Sequence, residues 1–111
     1  MRILAIEREL PRPMHRNLRD LLRAESAAVW DLQKSGVIRD IWLTKTDRRA
    51  VIFLECAHVE DARSHLATLP LVRAELIDFM LHELCTYDGL ERLFATGAAP
   101  APAAPEEPAE Y

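Results

Sequence analysis

The chain has 111 residues, half of them apolar and 29% charged, a composition that suits one soluble globular domain with its own core. Its 14 basic and 18 acidic side chains give a net charge of -4. Setting aside Glu106, Glu107 and Glu110 leaves about -1 for the rest, too little positive charge for a broad nucleic-acid or anionic-membrane footprint.

The elements follow in chain order. Arg2 to Arg8 is short and rich in β-branched and apolar residues, and reads as a first strand. It carries Glu7 and is followed by Glu9, so the N-terminus does not read as a secretory leader. Pro11 and Pro13 end the strand, because proline lacks the N–H that a ladder needs. A helix is predicted from about Met14 to Ser35, with Pro13 suited to its first turn and Gly36 to its C-terminal cap. Val37 to Lys45 and Ala50 to Ala57 form a hairpin around Thr46–Arg49. His58 to Leu69 is a second helix with Glu60 and Asp61 in its first turn, where the helix dipole favours acids, and Pro70 follows its end. Ala74 to Tyr87 is a long fourth strand, and Asp88 to Phe94 forms one more helical turn or two. From Ala95 to Tyr111 the chain is alanine, proline and glutamate, a tail expected to be flexible because it has little apolar surface to bury.

The order β-α-β-β-α-β is the split-βαβ, or ferredoxin-like, arrangement of the α+β class: a four-stranded antiparallel sheet with two helices on one face. Residues 1–94 make this domain and 95–111 the tail. In the fourth strand Ile77, Phe79 and Leu81 point one way, and Leu76, Met80 and Leu84 the other. Two helices cover only one of those apolar faces, so a second chain is expected on the other: a homodimer through the sheet, or a higher oligomer. An exposed Trp30, off the apolar stripe of the first helix, suggests a further contact.

Several residues do not fit the core pattern. Glu25 lies near the centre of the stripe Met14, Leu18, Leu21, Leu22, Ala28, Val29, Leu32, within about 20° of Leu18 and Leu32. A carboxylate there needs a cation or hydrogen-bond donors, or its pKa rises toward the range of a general acid or base. Arg39 is its expected partner; strand alternation places it among Val37, Ile41 and Leu43, paired with a carboxylate, aimed at an anion, or snorkelling at the edge. Asp78 and His82 share one face of the fourth strand. They lie about 13 Å apart, too far to touch, but could line one pocket or a partner contact, and Glu7 is a similar case. Trp42 reads as core or interface before ligand wall. Cys56 and Cys85 are widely separated and read as reduced, buried thiols; with His15, His58 and His65 they form no metal-ligand spacing. No phosphate-cradling glycine loop and no G-x-S-x-G motif is present. No run approaches the length of a membrane span, and the expected compartment is the cytoplasm.

The chain resembles the muconolactone isomerase family of the dimeric α+β barrel superfamily. The resemblance rests on Leu10-Pro11 after the first strand, on Glu25, and on Leu32-Gln33-x-x-Gly36. It continues through Arg39 and Trp42 in the second strand, Glu55 at the end of the third, Val59-Glu60, Leu66-x-x-Leu69-Pro70-Leu71 and Ile77. It covers residues 1–87, with Leu69-Pro70-Leu71 its most distinctive piece. It implies a cofactor-free, metal-free enzyme of aromatic catabolism that shifts a double bond by proton transfer on a small carboxylate or lactone. Glu25 would be the acid/base, Arg39 the anion clamp and Trp42 a pocket wall; Glu7, Asp78 and His82, from the strand reading above, are the further candidate substrate contacts. Two departures point to another substrate or to no catalysis. The stretch Arg48-Arg49-Ala50-Val51-Ile52 replaces a polar, aromatic strand opening, and Ile3 and Ala5 stand where the family carries His and Lys. A ligand-binding or assembly protein on the same scaffold, and a cofactor-independent oxygenase of the same superfamily, are the alternatives.

Overall fold

A computed structural model of the protein describes residues 1–12 and 16–94. The expected helix start at Met14 behind Pro13, His15, and the tail from Ala95 lie outside the described residues. The order is β1 (Arg2–Glu9), α1 (Leu18–Lys34), β2 (Ile38–Leu43), β3 (Ala50–Glu55), α2 (Val59–Ala67), α3 (Pro70–Arg73) and β4 (Ile77–Leu84), then a 3₁₀ turn over Gly89–Leu93. The strands form one antiparallel sheet in the order β2-β3-β1-β4, the ferredoxin-like arrangement. The helices lie on one face: α1 packs on β2 and α3, α2 on β4. No described helix is long and apolar enough to cross a membrane.

Strand alternation sorts the sheet cleanly. Ile3 and Ala5 of β1, Ile52 and Leu54 of β3, Ile38 of β2 and Ile77 of β4 point toward the helices and are buried. Ala62, Leu66 and Leu69 meet them from the helical layer. The opposite face has Leu4, Ile6, Val51, Phe53, Met80 and Leu84, and no described element covers it, with Met80 on the β4 edge 47% exposed and Trp42 on the β2 edge 61% exposed. Both sides of the sheet are apolar, as expected.

Local chemistry sets the boundaries. Gly36 ends α1 in the left-handed conformation (φ 83°), its N–H donating to the Gln33 carbonyl at 3.0 Å. At the start of α2 the His58 N–H donates to Asp61 Oδ2 at 3.2 Å. The one element the sequence reading lacked is α3. Pro70 opens it as the first helical residue; it does not merely follow α2. A Schellman closure ends it, with Glu75 N–H donating to the Val72 carbonyl and Leu76 N–H to the Leu71 carbonyl, at 2.9 and 3.0 Å. Glu75 holds the left-handed position (φ 59°) where glycine is usual. Residues 74–76 therefore belong to this closure, and β4 begins at Ile77 rather than Ala74. The thiols also differ from expectation: Cys56 is half-buried, but Cys85, beyond the end of β4, is exposed.

Candidate functional site

A cavity of about 490 Å³ opens between α1, α3 and the β2–β3 end of the sheet. Leu22, Val29, Ile41, Leu43 and Leu71 give it apolar walls, Trp42 stands at the β2 side, and Glu7, Glu25 and Ser26 are its polar groups. It lies on the helix-facing side because Glu7 continues the inward series Ile3, Ala5, and Glu25 faces inward from α1.

Each carboxylate is held by a backbone N–H. Leu71 N–H donates to Glu25 Oε1 at 2.9 Å, and Ala50 N–H donates to Glu7 Oε1 at 3.1 Å. The short helix α3 thus supplies the donor that sequence reasoning required near Glu25, and β3 supplies the one for Glu7. Among the described residues Glu25 Oε2 accepts no hydrogen bond, and it is not sealed from solvent. One oxygen anchors the group and the other is left for a ligand.

Burial pushes the Glu25 carboxyl above the usual carboxylate range, the Leu71 N–H pulls it back, and the negative charge of Glu7 pushes it up again. The native state therefore holds the Glu25 proton more tightly than the unfolded chain does. The stability carried by that proton is present at low pH and is lost as pH rises from the ordinary glutamate value, about 4.3, through the raised native value. Glu25→Gln removes this loss. Thermal melts across pH 4 to 8 are expected to show the variant gaining on the natural protein as pH rises, with the difference closing toward pH 4. A difference that grew toward acid pH would contradict the raised value.

The sequence candidates divide into two groups. Glu25 and Glu7 meet in the cavity, while Trp42 borders it from β2, its register with Val51 placing the side chain on the open face of the sheet. Arg39, Asp78 and His82 do not. Arg39 was expected to face inward beside Glu25, but the β2–β3 register shifts between Ile38 and Asp40. This bulge takes Arg39 out of the alternation and gives the inward place to Ile38. Arg39 is exposed and its Nε donates to the Gly36 carbonyl at 2.8 Å. Asp78 and His82 do share a face, but it is the open one. There Asp78 accepts two hydrogen bonds from Arg8, Nε to Oδ1 at 2.9 Å and Nη2 to Oδ2 at 2.7 Å. Ser26 is the cavity group that the sequence reading did not single out. Its only signal was position, one turn beyond Leu22 and three residues before Val29, both of which also line the cavity.

A half-buried carboxylate of raised pKa, facing apolar walls with a second carboxylate nearby, is equipped to take and return a proton. No basic side chain lines the cavity among the described residues. No family model matches the sequence, and no curated protein matches it. The backbone, however, superposes on a crystal structure of muconolactone isomerase with a TM-score of 0.68 over 80% of this chain and 93% of that one, at 22% identity. The chain has the muconolactone isomerase fold. A second neighbour, 5-chloro-2-hydroxyhydroquinone dehydrochlorinase from Burkholderia phenoliruptrix AC1100 in complex with 2,5-dihydroxybenzoquinone, gives a TM-score of 0.55 at 16% identity. It covers 77% of this chain and 94% of its own. The expected likeness is thus borne out at the level of the fold; in this chain Leu71, within the Leu69-Pro70-Leu71 stretch, carries the N–H that holds Glu25.

Proposed function

We propose that the protein is a muconolactone-isomerase-like enzyme that moves a double bond in a small lactone by cofactor-free proton transfer, with Glu25 as the acid/base. The observation that carries this reading is Glu25 itself: one oxygen anchored, one free, its pKa raised, in an apolar cavity of ligand size. As a carboxylate it takes a proton from a carbon next to the substrate carbonyl. The C–H bonding pair moves into the new double bond and the carbonyl π pair onto oxygen. The protonated Glu25, open to solvent and so able to exchange its proton with water, then delivers a proton to a different carbon of the ring system, the carbonyl re-forms, and the atoms balance without a co-reactant. The Ser26 hydroxyl, at the cavity, is a donor for the substrate oxygen in this reading. The names of both structural neighbours describe small oxygenated cyclic compounds, a lactone and a hydroquinone, which supports this class.

The same geometry favours a lactone over a free carboxylate. Glu7 and Glu25 repel an anion and Arg39 is not there to offset them. In a thermal-shift screen an uncharged five-membered unsaturated lactone is expected to raise the melting temperature, and its ring-opened carboxylate to leave it unchanged. A shift from the carboxylate alone would overturn the substrate assignment.

The working unit in this reading is a homodimer closed over the open sheet face, where Leu4, Ile6, Val51, Phe53 and Met80 have no cover among the described residues. Light scattering at micromolar concentration should read about twice the 12.6 kDa chain mass. A single-chain mass would contradict it.

A further inference from the structure

On the other side of α3 lies a second cleft of about 180 Å³, bounded by α2 and the edge strand β4, and its charge is of the opposite sign. Arg63 stands at it over Leu66, Val72 and Phe79, and the Arg8–Asp78 pair of the sheet's other face borders it at the β4 edge. Asp78 is already taken by Arg8 through the two bonds described above. The Arg63 guanidinium has no hydrogen bond or ion pair with any described residue. Two cations against one anion leave one positive charge unmatched, and the unmatched group is the planar, five-donor side chain best shaped for a carboxylate.

We propose that this cleft is a binding site for a small organic monoanion, an apolar ring or short chain carrying one carboxylate. The apolar floor would take the body, as a cavity of about 150 Å³ takes benzene, and the carboxylate would lie at the mouth on Arg63. Phe79 offers a ring face or edge to an aromatic body. The two clefts then sort ligands by charge. The Glu7–Glu25 cavity disfavours anions, and this one selects them. They share α3 as a wall, Leu71 lining the first and Val72 the second.

Benzoate is a suitable probe, with benzamide as its uncharged counterpart. In a titration of the full chain followed by amide NMR shifts, benzoate is expected to give saturable changes at Arg63, Leu66, Val72 and Phe79. Benzamide should bind at least tenfold more weakly. Arg63→Ala should weaken benzoate by a similar factor with no change in melting temperature, since Arg63 is exposed. Arg63→Lys, which keeps the charge and loses the fork, should fall between. Benzoate shifts clustered around Glu25 and Ser26, shifts that never saturate, or an Arg63→Ala variant that binds as well as the natural chain would each overturn the proposal.

Discussion

Replacing Glu25 with glutamine is expected to lower the turnover of a lactone substrate by about 10²- to 10⁴-fold, the usual share of a positioned acid or base. The fold should hardly notice. Glutamine keeps a side-chain oxygen for the Leu71 N–H and removes a half-buried charge that faces Glu7, so its stability should stay within about 1 kcal/mol at neutral pH. This differs from the outcome expected of a structural ion pair, where removing one charge strands the other at about 3–5 kcal/mol. Arg39 does not face Glu25, and no described cation does, so that penalty has no source here. Turnover by Glu25→Gln equal to that of the natural chain would remove Glu25 from the chemistry.

The second large effect is structural. Leu69 is 0% exposed and is the residue that caps α3, packed with Leu66 and Ala62 against the sheet. Leu69→Ala is expected to cost about 2–5 kcal/mol, the lost transfer energy together with the cavity left behind. For a domain whose whole stability is about 5–15 kcal/mol, the melting temperature should fall by roughly 10 °C or more. The same change loosens α3, which holds the Leu71 N–H on Glu25. Leu93→Ala, at a side chain 75% exposed, is the internal comparison, expected within about 0.5 kcal/mol. Equal losses from the two variants, read by chemical denaturation, would contradict the placement of α3 in the core.

These contrasts also show what was legible in the sequence. Period-two alternation predicted both faces of β4, and helical periodicity picked Glu25 from the stripe of α1, because both are regular elements where spacing alone fixes direction. Arg39 was misassigned for the complementary reason. A bulge adds one residue to β2 and reverses the side on which alternation places it, and nothing in Val37–Asp40 marks a bulge by composition. The helix α3 escaped because it is four residues long, too short for a periodic signal. Its opening proline was read as a stop, and its left-handed closing residue is a glutamate where the usual mark is glycine. Glu7 was noted, but its inward direction could have been read too, since it extends the series Ile3, Ala5 by two. Ser26 was out of reach, because a helix serine beside the apolar stripe is common and only the cavity gives it a role.

The departures from the family pattern fit the same picture. Ile3 and Ala5, where the resemblance implied His and Lys, are buried core in this chain, so the ionisable groups on the inner side of β1 are Glu7 and, at its end, Glu9, both acidic. The site is therefore poorer in cations than the resemblance implied, and Glu25 stands beside a second carboxylate where a clamp for an anion was expected.

The proposed proton transfer has a direct readout. An unsaturated five-membered lactone incubated with the full chain in deuterated buffer should take up deuterium at the carbon next to its carbonyl faster than in buffer alone. Proton NMR would follow the loss of that resonance, with the Glu25→Gln variant returning the rate to the buffer background. Exchange at the background rate with the natural protein, across a set of lactones that raise its melting temperature, would contradict the account.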